Sequence, residues 1–89
     1  MNKYLITYDL KNTSLVLYAP LHEEIKKISG LWWHYLESTW IVKTNLTASE
    51  ISAKLIPHIK QGDRLIVVKI DYSDSQGWLP KEAWDWINS

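Results

Sequence analysis

Between Lys3 and Leu10 the chain reads Lys-Tyr-Leu-Ile-Thr-Tyr-Asp-Leu, aromatic and aliphatic at both parities, and then turns polar over residues 11–14. A short run of this kind predicts a first strand covered on both faces. Leu15 to Tyr18 is apolar again, and it reads as a short extension or as the lead into a helix. From Pro20 the period changes: Tyr18, Leu21, Ile25 and Ile28 recur at spacings of three and four, with Glu23, Glu24, Lys26 and Lys27 opposite. The pattern predicts an amphipathic helix with Pro20 in its first turn and Gly30 at its stop. Leu31–Thr44 then reads as two strands joined at Glu37-Ser38. In a plain hairpin Leu36 faces Thr39, Tyr35 faces Trp40 and Trp33 faces Val42, so Trp33, Tyr35, Trp40 and Val42 share an apolar face. Trp32, His34, Leu36, Thr39, Ile41 and Lys43 share the other. Because Glu-Ser is not a preferred tight-turn pair, a bulge is the competing expectation.

Thr47-Ala48-Ser49-Glu50 is a capping box for a second helix, whose face runs Ile51, Leu55, Ile59. Pro57 predicts that this helix kinks or tightens before Gly62. Leu65–Ile70 is the clearest strand in the chain, and a polar loop over 71–77 follows it. Pro80–Ile87 reads as a short terminal helix. Trp78, Leu79, Trp84 and Trp86 are there to pack that helix, on its own sheet or on a second subunit. The order strand, helix, strand, strand, helix, strand predicts an α+β fold: a ferredoxin-like βαββαβ domain with a four-stranded antiparallel sheet and two helices on one face. One domain spans 1–89, with 77–89 as a C-terminal helical appendage.

Charge narrows the function classes. Ten basic residues balance ten acidic ones, for a formal net charge of zero, which argues against a binder of long duplex DNA, where affinity comes from neutralised phosphates. A short nucleotide ligand stays open. Without cysteine there is no disulfide framework and no thiolate or zinc-ribbon chemistry. No membrane-length apolar run and no signal-peptide core occur, so a cytoplasmic protein without membrane attachment is expected.

Asp9 is the one catalytic candidate with a structural context. Its ordinary role would be to cap the turn after the first strand, accepting from amides around Asn12. A lone carboxylate holds Mg²⁺ only if a symmetry mate or substrate phosphates complete the shell. His22, His34 and His58 fall on three different elements, so no metal site is expected from spacing. Six tryptophans and five tyrosines without phenylalanine offer polar-handled rings, which fill cores and dimer interfaces or stack on nucleobases for about 1–3 kcal/mol per base. Core is the expectation for Trp33, Trp40 and Trp84. Trp32, His34, Tyr72 and Trp78 are the candidate ligand contacts, with Lys43 and Arg64, and also Lys11 and Lys69, available for phosphate.

The first strand ending Tyr8-Asp9-Leu10, the Tyr35–Val42 break, Leu65-Ile-Val-Val-Lys-Ile and Gly77-Trp-Leu-Pro-Lys-Glu-Ala-Trp84 together resemble the Cas2-like family of small ferredoxin-fold proteins, in particular its SinR-like branch. The resemblance implies a homodimer formed through the helix-free sheet face, with a C-terminal segment able to cross over. It also implies Asp9 from each subunit as a metal ligand. The family's arginine-rich stretch after the first strand is missing, since residues 11–28 hold three lysines, two glutamates and no arginine. The reading that follows is a non-catalytic homodimer sequestering a small nucleotide or short oligonucleotide, cyclic ones included, with no cofactor. The alternatives are a Mg²⁺-dependent nuclease using paired Asp9 side chains, and a protein-interaction module using the Trp-rich C-terminal helix.

Overall fold

The computed structural model describes residues 1–11 and 15–89, and in the first helix it describes side chains from Tyr18 onward. The elements are β1 (Asn2–Asp9), α1 (Leu15–Ile28), β2 (Trp32–Leu36), β3 (Thr39–Thr44), α2 (Ala48–Leu55), a 3-10 turn (Ile56–His58), β4 (Arg64–Lys69) and α3 (Lys81–Ile87). The four strands pair antiparallel in the order β2-β3-β1-β4, so β1 and β3 are central and β2 and β4 are edges. This is an α+β fold with three helices. Among the described residues no helix is long and apolar enough to cross a membrane.

Alternation along β1 divides the protein into two cores. Tyr4, Ile6 and Tyr8 join Trp40 and Val42 of β3 beneath Tyr18, Leu21 and Ile25 of α1 and Ile51 and Leu55 of α2. Fully burying one aliphatic side chain of this size contributes about 1.5–3 kcal/mol, so this layer is the main source of stability. Leu5 points the other way, into a second cluster with Trp33, Ile41, Ala83 and Ile87, edged by Ile70, Tyr72, Leu79, Trp84 and Trp86. The terminal helix therefore packs on its own sheet. It leaves the β4 side of that face open, where Ile66 is 56% and Val68 39% exposed.

Local signals explain most boundaries. Thr47 Oγ1 accepts from the Glu50 amide at 3.1 Å while the Glu50 carboxylate accepts from the Thr47 amide at 2.9 Å, closing the expected capping box. The chain tightens into the 3-10 turn at Pro57, as its missing amide requires. Two expectations are corrected. Pro20 lies inside α1 rather than in its first turn, because Tyr18 is buried on the same stripe as Leu21 and Ile25, and the helix continues back past the proline to include it. The resulting loss of one helical hydrogen bond is accepted for that burial. The Asn12 amide proposed as Asp9's partner lies outside the described residues.

The second correction is in the β2–β3 hairpin. Leu36 faces Thr39 across Glu37-Ser38 as expected, but β2 then carries one extra residue between Trp33 and Leu36. This bulge shifts the pairing to Trp33 with Ile41 and Trp32 with Val42. A one-residue slip reverses the faces. Trp33 therefore leaves the face of Trp40 and Val42 and joins Ile41 under α3, donating from its indole Nε1 to the Ala83 carbonyl at 3.2 Å.

The loop before β4 is tied to the start of α1 by a buried carboxylate. Asp63, 6% exposed, accepts from the Lys11 amide at 2.7 Å, the Lys60 amide at 2.9 Å and the Tyr18 hydroxyl at 2.8 Å. Burial alone would raise its pKa; the two amides, the hydroxyl and the nearby Lys60 charge outweigh it and hold the carboxyl below its ordinary value. Gly62 makes the approach possible. Its φ is +89°, and a Cβ there would meet the Lys11 stem at 3.2 Å.

Candidate functional site

An open groove of about 700 Å³ lies at the end of the sheet where β1 begins, between the 71–77 loop and the last turn of α3. Lys3 and Asp71 supply opposite charges and Tyr72 and Trp84 its rings, while Ser73, Ser75, Gln76, Asn88 and Ser89 supply polar groups. Each wall has a local cause. The loop is held by its own side chains: Asp71 accepts from the Ser73 amide at 3.0 Å and Ser75 donates to the Tyr72 carbonyl at 2.8 Å. Those bonds from Ser73, first its amide and then its hydroxyl, hold the Asp71 carboxyl below the usual range, and Lys3 adds to the effect. On the other side α3 is seated by Ala83 and Ile87, so Trp84 stands at the groove's edge beside Gly77.

Tyr72 carries an unusual burden. The Lys3 ammonium lies 5.1 Å from its ring centroid, and its hydroxyl is buried without a hydrogen-bond partner among the described residues. Burial raises its pKa above the ordinary phenol value. A buried orphan hydroxyl costs about 1–3 kcal/mol, which makes Tyr72 a poor choice for packing alone.

Of the residues singled out by sequence, the structure gathers some and scatters others. Tyr72 lines the groove; Lys43 lies outside its lining and touches it only through Ser89, donating to that residue's hydroxyl at 3.1 Å and its carbonyl oxygen at 3.4 Å while lying 4.5 Å from the Trp86 ring centroid. Trp78 follows groove-lining Gly77, and its side chain is fully exposed. Arg64 stands at the far end of the sheet, paired across from Asp9 and donating to the Asp63 carbonyl at 3.0 Å. Six residues of β1 separate Lys3 from Asp9, about 20 Å along a strand. Asp9 itself is exposed.

Trp32 and His34 lie elsewhere, on the helix-covered face, where the bulge places them with Trp40. The His34 ring stacks on Trp40 at 3.7 Å and 13°, its Nε2 sits 3.1 Å from the Glu37 carbonyl, and Lys26 lies 5.3 Å from the Trp32 ring centroid. The two histidines that sequence spacing keeps apart come together here, His22 edge-on to His34 at 5.7 Å. His22 Nε2 is 3.1 Å from the Tyr8 hydroxyl, which accepts from Trp40 Nε1 at 2.9 Å. Burial first, then His34 and Lys26, lower the His22 pKa against the opposing pull of Glu23, while burial raises that of Tyr8. The cluster reads as a hydrogen-bonded brace between α1 and the hairpin. Among the described residues no group of three or more His, Asp or Glu could hold a metal ion. A second open cleft, of about 500 Å³, is lined by Lys27, Lys43 and Lys54 with Glu24. It lies at the C-terminal end of α1, where lysines complement the helix dipole and an anion would oppose it.

Sequence reasoning missed Lys3 as a groove residue and assigned Trp84 to the core, whereas both line the groove. The alternation around Tyr4 does put Lys3 on the face opposite the helices, but that face acquires a site only once α3 is laid across it. No family model matches the chain, and no curated protein or solved structure matches it.

Proposed function

We propose that this chain is a non-catalytic binding protein that holds a small nucleotide or short oligonucleotide, cyclic ones included, in the groove between Tyr72 and Trp84, and that it acts by sequestering the ligand. One observation carries the reading: two polar-handled rings, Tyr72 and Trp84, and a lysine line one solvent-open groove together with serine, asparagine and glutamine, the Asp71 carboxylate and Ile87. Aromatic faces accept any base, and the polar walls offer donors and acceptors to its edges. A ferredoxin-like arrangement is supported by the strand order: read from β4 it is β4-β1-β3-β2, with α1 and α2 as crossovers of two split βαβ halves. Dimerisation is part of the proposal. It is supported by the open β4 half of the sheet face, where Ile66 and Val68 are exposed beside Thr7.

Calorimetric titration with mononucleotides, dinucleotides and cyclic oligonucleotides tests the binding reading. Saturable heat that disappears in Tyr72→Leu is expected; no heat across the whole panel sinks it. Sedimentation at the mass of a single chain at all concentrations would remove the dimer. A protein-interaction role has one specific observation in its favour, the fully exposed ring of Trp78.

A further inference from the structure

Stacking accommodates the planar part of a nucleotide and leaves its charge without a partner. Lys3 and Lys43 stand directly opposite each other on β1 and β3. Side chains so placed have Cβ atoms about 4.5–5.5 Å apart, and like charges there destabilise the pair. Neither lysine forms an ion pair with a carboxylate side chain among the described residues, where such pairs are Lys26 with Glu23 and Lys81 with Asp85. Each is instead laid along a ring, Lys3 over Tyr72 at 5.1 Å and Lys43 over Trp86 at 4.5 Å. Both are half-buried, so their stems are held while their ammonium groups stay within reach of solvent. The Asp71 carboxylate lines the same groove and attracts Lys3 without ion-pairing to it, one of its oxygens accepting from the Ser73 amide. Lys43 also reaches the groove wall itself through the Ser89 hydroxyl.

We infer that Lys3 and Lys43 form the phosphate subsite of the groove, so that the ligand is a nucleoside phosphate whose anionic group bridges the two ammonium groups while its base meets Tyr72 and Trp84. This rests on the nucleotide reading and narrows it. A dianion between the lysines turns an electrostatic cost of the free protein into attraction, and each charge-assisted contact improves affinity by about tenfold or more. Arg64 takes no part in this subsite, since it stands about 20 Å away along β1.

The test is calorimetry on the full chain with the four ribonucleosides, their 5′-monophosphates and inorganic phosphate. Lys3→Gln, Lys43→Gln and the corresponding arginine variants are measured alongside. At least one monophosphate is expected to bind tenfold or more tightly than its nucleoside, with the advantage falling about tenfold in each glutamine variant, surviving in the arginine variants and shrinking as salt rises. Thermal midpoints of the glutamine variants should equal or exceed that of the wild type, because the repulsion is relieved; binding lost without loss of stability separates a ligand contact from a structural one. Nucleoside and monophosphate binding equally would overturn the lysine subsite and leave the groove standing. Inorganic phosphate binding as tightly as the monophosphates would keep the subsite and remove the stacking. Silence across the panel would overturn both.

Discussion

Replacing Trp33 with phenylalanine discriminates between the two registers the hairpin sequence allows. In the bulged register Trp33 is 3% exposed beneath α3 and its indole donates to the Ala83 carbonyl. Phenylalanine keeps a ring but loses that hydrogen bond, worth about 1 kcal/mol, and roughly 40 Å² of apolar contact, worth about another 1 kcal/mol. A loss of about 2 kcal/mol is large against the 5–15 kcal/mol typical of a small domain. It corresponds to a drop of about 8–16 °C in melting midpoint at this chain length. The damage should also be local. Because Trp33 is buried against Ala83 and Ile87, exchange of the α3 amides should accelerate by about 30-fold, while amides of Tyr4 and Val42, beneath α1 and α2, change only as far as global stability falls. Hydrogen exchange read residue by residue is the assay. If Trp33 instead shared the face of Trp40 and Val42, the slow core amides would fall with no separate response in α3. That result, or no change anywhere, would refute the register and the seating of α3 together.

Tyr72→Phe removes a buried hydroxyl that has no partner among the described residues, so the variant should be as stable as the wild type or up to about 1 kcal/mol more stable. Urea denaturation checks this, and a loss of stability would mean that the hydroxyl is bonded to something in solution. Asp63 has its folded pKa held down, so its contribution is present above the unfolded carboxylate value near pH 4 and is lost as pH falls through the lower folded value. Asp63→Asn should therefore be less stable than the wild type at pH 7, with a smaller gap at pH 3. Equal denaturation midpoint differences at the two pH values would contradict the assignment.

How much of this was legible beforehand depends on the range of the interactions involved. Strand and helix identities follow from local period, and α2 was readable to its cap because Thr47 and Glu50 bond only to each other's backbone. α1 was mis-started because Pro20 is a local signal, whereas Tyr18 is buried by a distant one, its bond to Asp63 forty-five residues away. In the hairpin the plain register fails and the competing expectation, a bulge, holds. Period-two alternation gives relative faces only while every residue is paired; the unfavoured Glu37-Ser38 pair points to a bulge, but its position between Trp33 and Leu36 leaves no mark in composition. At the site, Tyr72 and Lys43 were recognised by type. Lys3 was not, since its meaning comes from a cross-strand partner and from a helix more than seventy residues later. Trp32 and His34 have the right chemistry and were placed on the wrong side of the sheet by the same slip.

The second sheet face also has room for both the groove and the proposed dimer contact without conflict. α3 covers Leu5, Ile41 and Trp33, which belong to β1, β3 and β2, and leaves apolar surface toward β4, at Ile66 and Val68, and at the β2 edge, at Tyr35 and Leu36. The groove sits at the Lys3 end of that face, whereas Ile66 pairs with Thr7, four residues further along β1 and about 13 Å away. A second copy laid over Ile66 and Val68 would therefore approach beside α3 rather than through the groove. The α3 segment cannot be an independent appendage on this arrangement, since Trp33 and Ile41 bury Ala83 and Ile87 from below while Trp84 walls the site. Its removal would open the second core and dismantle the groove in one step. The groove, and with it the binding proposed for it, thus depends on the docking of the last helix, and through Trp33 on the one-residue bulge in β2.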